Sequence, residues 1–329
     1  MEIINSPTSD QIKKAAKALK DGHLVAFPTE TVYGLGADAT NGNAISRIYS
    51  VKGRPKDHPL IVHISSINQL GDWATDVPKY AIKLAQDFWP GPITLVLKRS
   101  KIAQDFITGN QDNVGLRVPN HPIAQILLRE FLDLHGFGIA APSANRFGKV
   151  SPTTSVAVTE EIGTRLNTTD LILDGGQCKI GIESTVVDCL GELPLIIRPG
   201  IISLEQIELS IGHTLNSIKS VSEAKAPGIL ESHYSPNAEI TLQVNPRPGE
   251  GFIALAEFPT PLGVIRLSAP LTHEEFARDL YRALRLGDSL GLKKIAVKIS
   301  NTSNFANAIL DRLTKASFGN ANKIFEFED

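Results

Sequence analysis

An apolar run gives way to hydroxyls and glycines in Phe27-Pro28-Thr29-Glu30-Thr31-Val32-Tyr33-Gly34-Leu35-Gly36. A short helical pattern follows this stretch, and two cations then stand two residues apart in Lys52-Gly53-Arg54-Pro55. This order places small, polar and basic groups at the carboxyl end of a strand, where open α/β sheets bind their ligands. The sequence therefore predicts a ligand pocket, and the two cations favour a nucleotide as its ligand.

The composition is that of an ordinary globular protein. The chain has 329 residues, 42% of them hydrophobic and 21% charged, and this length favours two domains. A net charge of −2 argues against a general polyanion binder, although a local basic pocket is compatible with it. The N-terminus lacks the basic and apolar regions of a signal peptide, and no apolar run is long enough to span a membrane. We therefore expect a cytoplasmic protein that does not associate with membranes.

The 2 cysteines, Cys178 and Cys189, have neither the spacing nor the neighbouring histidines of a zinc site. One pair of cysteines is also no disulfide framework, so a reducing compartment is the simplest interpretation.

Predicted helices and strands alternate along the chain, which indicates an α/β sheet of mixed direction. Residues 212–236 interrupt this alternation, because they show little periodicity and contain Ala226-Pro227-Gly228 and His233-Tyr234-Ser235-Pro236. We predict a catalytic domain over residues 1–211, a linker or lid over 212–236, and a smaller α/β domain over 237–329.

The glycines of the opening stretch allow a second interpretation. Gly34-x-Gly36-x-x-Ala39 formally matches the dinucleotide-binding fingerprint. That fingerprint requires an acidic residue at the end of the next strand, and here that strand ends in His63-Ile64-Ser65 instead. A P-loop motif is absent. We therefore interpret the two glycines as room beside Thr31 for a small ligand.

Three cations allow both a structural and a functional interpretation. Lys52 and Arg54 stand at a helix end, where the helix dipole favours them, but they could equally clamp a phosphate. We expect both side chains to be exposed, so that replacing them has little effect on stability. Arg117 lies in an apolar strand and needs a partner, which is either a ligand carboxylate or a structural Asp or Glu.

Other polar groups also follow strands: Pro142-Ser143-Ala144-Asn145, Ser184-Thr185 and Arg198-Pro199-Gly200. Each alone could be only a turn. Together they put hydroxyls and cations at several strand ends, as an anion-binding pocket requires. Neither a Gly-x-Ser-x-Gly nor a His-Glu-x-x-His motif is present, and the acidic residues lack metal-site spacing. Mg²⁺ would therefore have to arrive with a nucleotide.

In these segments the chain resembles the YrdC-like family, specifically the long two-domain form of its threonylcarbamoyl-AMP synthases. The resemblance covers nearly the whole chain, and it includes the linker motifs and the later Asp311-Arg312-Leu313. It implies a YrdC-like twisted mixed sheet with flanking helices, plus a smaller C-terminal Rossmann-like α/β domain.

The resemblance also implies a reaction. L-threonine, bicarbonate or CO2, and ATP with Mg²⁺ would form L-threonylcarbamoyl adenylate and pyrophosphate, for N6-threonylcarbamoyladenosine at position 37 of tRNA. Candidate partners beyond these substrates are tRNA and the downstream tRNA threonylcarbamoyl-transfer enzymes.

The resemblance assigns roles to individual residues as well. The catalytic pair would be Lys52 and Arg54, which also belong to the ATP site. Threonine would contact Thr31, His63, Arg117 and Ser184. The remaining ATP contacts would be His58, Asn113, Ala141, Ser143, Asn145, Ser151, Arg198 and Tyr234.

Two other functions are weighed against this one. An RNA-binding module of the same fold without synthase activity would lead us to expect a basic, aromatic surface, which the near-neutral chain does not suggest. A carbamoyl-transfer domain of the hydrogenase-maturation type would need zinc-finger cysteines, and 2 cysteines cannot supply them.

Overall fold

Two β-sheets organise the chain in a computed structural model that describes residues 1–215, 234–299 and 304–321, without the side chains of Asn304 and 318–321. Ten strands form the first sheet: β1 (Glu2–Asn5), β2 (Val25–Phe27), β3 (Gly34–Asp38), β4 (Ile61–His63), β5 (Ile93–Lys98), β6 (Asn113–Arg117), β7 (Ile139–Ala140), β8 (Leu171–Asp174), β9 (Thr185–Asp188) and β10 (Leu195–Arg198). Four form the second: β11 (Glu239–Leu242), β12 (Gly251–Ala254), β13 (Ile265–Ser268) and β14 (Lys294–Lys298).

The first sheet is mixed, and its strands run in the order β1-β8-β2-β3-β7-β4-β6-β5-β9-β10. Strand β7 pairs antiparallel with both β3 and β4, whereas β4 and β6 are parallel. In the middle of the sheet, the amino ends of some strands therefore lie beside the carboxyl ends of their neighbours. The second sheet is entirely parallel in the order β11-β14-β12-β13, as in Rossmann-like units.

The helices begin and end at sequence signals. The first helix starts at a capping box formed by Thr8 and Gln11, and the second ends at Gly53, which adopts φ 62°. The helices are α1 (Ser9–Lys20), α2 (Gly42–Lys52), α3 (Leu70–Trp73), α4 (Lys79–Phe88), α5 (Asp105–Thr108), α6 (Pro122–Asp133), α7 (Ser155–Ile162), α8 (Leu204–Ile211), α9 (His273–Ser289) and α10 (Asn304–Ala321).

The fold class predicted from the sequence is confirmed. The main difference is the glycine-rich stretch. Gly34 and Gly36 lie inside β3, which pairs antiparallel with β2, and not in a strand-to-helix turn. A dinucleotide fingerprint is therefore wrong. Gly36 makes room for the Phe27 ring, since a Cβ there would lie 2.8 Å from it, so only Gly34 can leave room for a ligand.

The cores of the two sheets meet at one place. Val32, Val150 and Ile182 belong to the first sheet's part of the chain, yet they pack in the apolar cluster of the second sheet beside Phe276 and Leu280. The domain boundaries 1–211, 212–236 and 237–329 stay a prediction, and most of the predicted linker, residues 216–233, lies outside the described residues. No helix in the described parts of the chain is long and apolar enough to cross a bilayer.

Asp170 ties together the β8 end of the sheet. Its carboxylate is fully buried, pairs with Arg47 at 2.6 Å, and accepts hydrogen bonds from the amides of Leu24 and Asn167. Because Asp170→Ala leaves these donors without their acceptor, we expect it to lower the free energy of unfolding by about 3 kcal/mol in urea titrations.

The control for Asp170 is Lys14→Ala, which removes an exposed ion pair with Glu2 on the adjacent strand. This substitution should leave the urea midpoint unchanged, because exposed pairs contribute little. Equal effects of the two substitutions would contradict a central role for Asp170.

Candidate active site

A small cavity opens where the strand ends meet in the middle of the first sheet. It encloses about 50 Å³, which is far below the ~300–1,000 Å³ of typical small-molecule sites. Its lining is mostly polar or cationic: Thr29, Thr31, Val32, Gly34, Arg54, Ile61, His63, Arg117, Ala141, Pro142, Ser143, Glu183, Ser184, Arg198 and Tyr234. The structure thus brings together nine of the fourteen residues predicted for the site.

Arg117 is held on one side and open on the other. It lies at the end of β6, where it is in register with His63 at the end of β4. Its Nη2 lies 2.8 Å from Oε1 of Glu30, and both side chains are buried. Within the described residues, Nε and Nη2 make this ion pair but no hydrogen bond. A structural carboxylate therefore neutralises Arg117, while its donors remain available to a second anion.

His63 is a neutral neighbour of this arginine. Burial, and then the positive charge of Arg117, lower its pKa to about 3. Its Nδ1 has no hydrogen-bond partner among the described residues, and its ring meets the Phe27 ring edge-on at 6.1 Å. At neutral pH His63 can therefore donate or accept one hydrogen bond in the cavity without adding charge.

Hydroxyl groups line two further walls. Thr29 Oγ1 lies 2.8 Å from Thr31 Oγ1 and donates to the carbonyl of Val32, so this loop folds on itself. On the opposite wall Ser184 Oγ lies 2.8 Å from Thr94 Oγ1 and accepts a hydrogen bond from Arg198 Nη2 at 3.0 Å. Arg198 Nε also donates to the Ser184 carbonyl at 3.1 Å, so these two residues form one unit.

Lys52 is buried behind the cavity and not exposed as predicted. Its exposed fraction is 3%, and its Nζ donates to the carbonyls of Ser143 and Asn145 at 2.6 and 2.5 Å. Burial, and then the charge of Arg54, lower its pKa well below the usual value. The expectation of exposure is wrong because the turn over residues 142–145 folds back over the end of α2 and covers it.

Arg54 is also buried, with 8% of its surface exposed, but it lines the cavity. Its Nη2 donates to the Pro59 carbonyl at 3.0 Å, and its guanidinium lies 5.7 Å from the centre of the Phe147 ring. Burial lowers its pKa to about 10, which leaves it protonated at neutral pH. The left-handed Gly53 reverses the chain after α2, so Lys52 and Arg54 point to different surroundings.

The remaining predicted residues lie outside the cavity lining. The His58 ring packs edge-on against Phe147 at 5.3 Å. Asn113 begins β6 and pairs with Lys98 across the ladder. Asn145 Nδ2 donates to the carbonyls of Arg146 and Lys149, both at 2.7 Å. Ser151 donates to the carboxylate of Glu183 at 2.6 Å.

The prediction from sequence did not include two acidic residues of the site. Glu30 stands inside the opening stretch and pairs with Arg117, and Glu183 precedes Ser184 directly. Burial opposes the ionisation of Glu183, but Arg312, Arg198 and the Ser151 hydroxyl lower its pKa to about 2. A carboxylate directly next to a predicted threonine-binding residue, Thr31 or Ser184, was the signal that could have indicated both.

Comparisons with known proteins identify the family of the chain. A family model described as telomere recombination, which groups Sua5, YciO and YrdC proteins, matches residues 17–200. A second model, the C-terminal domain of threonylcarbamoyl-AMP synthase, matches residues 202–317.

Individual relatives match along most of the chain. A threonylcarbamoyl-AMP synthase of Pyrococcus abyssi is 43% identical over 326 residues, which cover 93% of this chain and 94% of that protein. A Bacillus subtilis protein of the same name is 43% identical over 241 residues, 72% of this chain and 68% of that one. The crystal structure of P. abyssi Sua5 complexed with L-threonine superposes with a TM-score of 0.86 at 40% identity, covering 97% and 98% of the two chains.

Burial of Lys52 leads to a stability prediction. Lys52→Met removes the donors of two buried carbonyls, so we expect a loss of about 1–3 kcal/mol in the free energy of unfolding, measured in urea. The control Lys56→Met makes the same change at an exposed position four residues along the chain and should have no effect. Stability equal to wild type in Lys52→Met would contradict a bracing role for Lys52.

The lowered pKa of His63 leads to a pH prediction. The folded state resists protonation of His63, whereas the unfolded chain takes up a proton near pH 6.5. Stability is therefore unaffected above pH 6.5 and falls by up to about 1.4 kcal/mol per pH unit from 6.5 towards 3.

The measurement compares urea midpoints at pH 7.5 and 5.5. His63→Gln should flatten this dependence, while His121 still contributes in the variant because burial lowers its pKa too. If the urea midpoint of His63→Gln changed between pH 7.5 and 5.5 as much as that of the wild type, the lowered pKa of His63 would be contradicted.

Proposed function

The chain belongs to the Sua5/YciO/YrdC family, and we propose that it makes L-threonylcarbamoyl adenylate from L-threonine, bicarbonate or CO2, and ATP, with release of pyrophosphate. The product serves N6-threonylcarbamoyladenosine formation at position 37 of tRNA. The proposal rests mainly on one observation: the buried Arg117 lies beside Thr31 and His63 in the cavity, and its Nε and Nη2 make no hydrogen bond within the described residues.

Threonine fits the part of the cavity around Arg117. Nε and Nη2 of this arginine can bind the amino acid's carboxylate, since a guanidinium forms two parallel hydrogen bonds to such a group. Thr31 and the neutral His63 supply hydrogen-bonding groups for the side-chain hydroxyl, and Val32 and Ile61 supply an apolar wall for the methyl group. The P. abyssi relative is known in complex with L-threonine, which supports this assignment.

The nucleotide belongs on the cationic side of the cavity. We assign the phosphates to Arg54, Ser143 and Arg198, and the more distant contacts to the residues outside the lining: His58, Asn113, Asn145 and Ser151. Lys52 is committed to two carbonyls, so a direct contact with a phosphate would require those hydrogen bonds to break. In this structure it contributes by supporting the turn that carries Ser143.

The reaction needs alignment and charge stabilisation more than a base. The amine of threonine captures CO2 with loss of a proton, or bicarbonate with loss of water, to give a carbamate. A carbamate oxygen then attacks the α-phosphorus of ATP while pyrophosphate leaves. Both reactants are anions, so the guanidinium groups of Arg54, Arg117 and Arg198 lower the barrier by holding them together and stabilising the developing charge.

Mg²⁺ would be held mainly by the phosphates of ATP. Glu30 and Glu183 are the carboxylates nearest the cavity among the described residues, and both are already paired with arginines. No cluster of His, Cys, Asp or Glu in the described ranges has the arrangement of a metal site. The engagement of these two carboxylates by arginines supports a magnesium ion that arrives with the nucleotide.

Tyr234 closes the cavity from the start of the second α/β unit. Its side chain is 1% exposed, and it stacks on Tyr281 with ring centres 5.8 Å apart. A cavity of about 50 Å³ is too small to enclose ATP together with threonine, so either the nucleotide extends beyond it or Tyr234 moves when the nucleotide enters. Closure over both substrates would then protect the labile carbamate from water.

The test is pyrophosphate release from ATP by the purified chain. Release should require both L-threonine and bicarbonate, and Arg117→Lys should lower kcat/KM for threonine at least tenfold, because lysine cannot form the paired hydrogen bonds. Arg129→Lys, on the exposed face of α6, is the matched control and should leave the kinetics unchanged. Pyrophosphate release that is indifferent to threonine would contradict the proposal, and RNA binding without any release would favour the RNA-binding alternative.

A further inference from the structure

The loop Gly181–Ser184 joins the cavity to the second α/β unit. Gly181 has φ 83°, and a Cβ on it would lie 2.4 Å from the Cα of Arg278 in α9, so the backbones of loop and helix are in direct contact. The next residue, Ile182, is fully buried in the apolar cluster of the second sheet. The residue after Glu183 is Ser184, which lines the cavity.

Glu183 is the centre of a buried polar network that spans both units. Its Oε1 accepts the hydrogen bond from Ser151, and its Oε2 accepts from the Tyr281 hydroxyl and from Arg312 Nε, both at 2.8 Å. Tyr281 belongs to α9 and Arg312 to α10, and both are fully buried. Because each carboxylate oxygen already has a partner, Glu183 is poorly placed to act on a substrate itself.

Arg312 connects two segments of the cavity wall. Besides the Glu183 carboxylate, its Nη2 donates to the Pro199 carbonyl at 2.9 Å. Glu183 and Pro199 are the chain neighbours of Ser184 and Arg198, the two cavity residues that hydrogen-bond each other. One guanidinium from α10 therefore anchors both backbones on which that pair stands.

The charges of the network make this anchoring strong. Nearby arginines keep Glu183 ionised despite its burial, and the carboxylate and two buried tyrosines raise the pKa of Arg312 well above its usual value in spite of desolvation. Removing either partner weakens the charge balance of the other, because among the described residues Arg312 then keeps only Asp311 as a counter-charge and Glu183 keeps only the nearby Arg198.

We propose that Glu183, Tyr281 and Arg312 are positioning residues through which the second α/β unit holds Ser184 and Arg198 in their substrate-binding geometry. This inference rests on the proposed function, because it gives the second unit a part in the binding of threonine and ATP. Tyr281 and Arg312 lie outside the cavity lining, so their effect on substrates must pass through Glu183 and the adjoining backbone.

The test compares the full chain with Glu183→Gln, Tyr281→Phe and Arg312→Gln. The readouts are the Kd of L-threonine by calorimetry, kcat and KM of pyrophosphate release, and the melting temperature. We expect each variant to raise the threonine Kd and the KM for ATP, about threefold for Tyr281→Phe and at least tenfold for the other two. Arg312→Lys should recover part of the loss, since lysine keeps the charge but cannot contact Glu183 and Pro199 together.

Glu161→Gln is the matched control. Glu161 is also a part-buried carboxylate that pairs with an arginine of α9, Arg285, at 3.0 Å, but it does not line the cavity. Its replacement should lower the melting temperature by weakening the contact between the units, while the substrate constants stay within twofold of wild type. If the role of Glu183 were purely structural, Glu183→Gln would likewise lower the melting temperature and leave the substrate constants within twofold of wild type.

The possible outcomes separate the two proposals. Wild-type protein that binds no threonine and releases no pyrophosphate contradicts the proposed function. If the wild-type protein is active, and the Glu183→Gln and Arg312→Gln variants fold with substrate constants within twofold of wild type, the positioning role alone is overturned. If these two variants do not fold, Tyr281→Phe decides, because it removes a single hydroxyl group, and unchanged substrate constants in it overturn the positioning role.

Discussion

Burial of positive charge around one small cavity is the constraint on which the rest of this structure depends. An unpaired buried cation is costly, so each one must find carbonyls, carboxylates or hydroxyls. The four cations are Lys52, Arg54, Arg117 and Arg198. The first two rely mainly on backbone carbonyls, the third on Glu30, and the fourth on Ser184 with neighbouring groups.

This way of satisfying the charges also explains the chemistry of the cavity. Backbone carbonyls orient a cation without neutralising it, and Glu30 neutralises Arg117 while leaving its donors open. The cavity therefore keeps a net attraction for anions. A reaction between a carbamate and a triphosphate needs such a site, because both reactants carry negative charge. The same contacts hold the turn at Ser143 in place, so fold stability and anion binding depend on the same groups.

Much of the site could be predicted from the order of residue types along the chain. Hydroxyls and cations after apolar runs indicated strand ends, and the four residues that the family resemblance assigned to threonine, Thr31, His63, Arg117 and Ser184, do meet at one cavity. Burial could not be predicted in this way. A lysine at a helix end usually points into water, and only the fold of a turn some 90 residues later covers Lys52. The role of Gly36 could not be predicted for the same reason, since a short motif does not reveal which strand it pairs with.

Periodicity, capping residues and turn residues are local, so residue order alone was enough to determine the α/β class, most helices and strands, and the residue types of an anion site. The partners of these residues depended on the packing of distant segments. Glu183 is linked to Arg312 across 129 positions, and Arg117 to Glu30 across the middle of the sheet. Such pairs form because a buried charge requires an opposite charge or a polar group nearby, and only the three-dimensional fold decides which one is within reach.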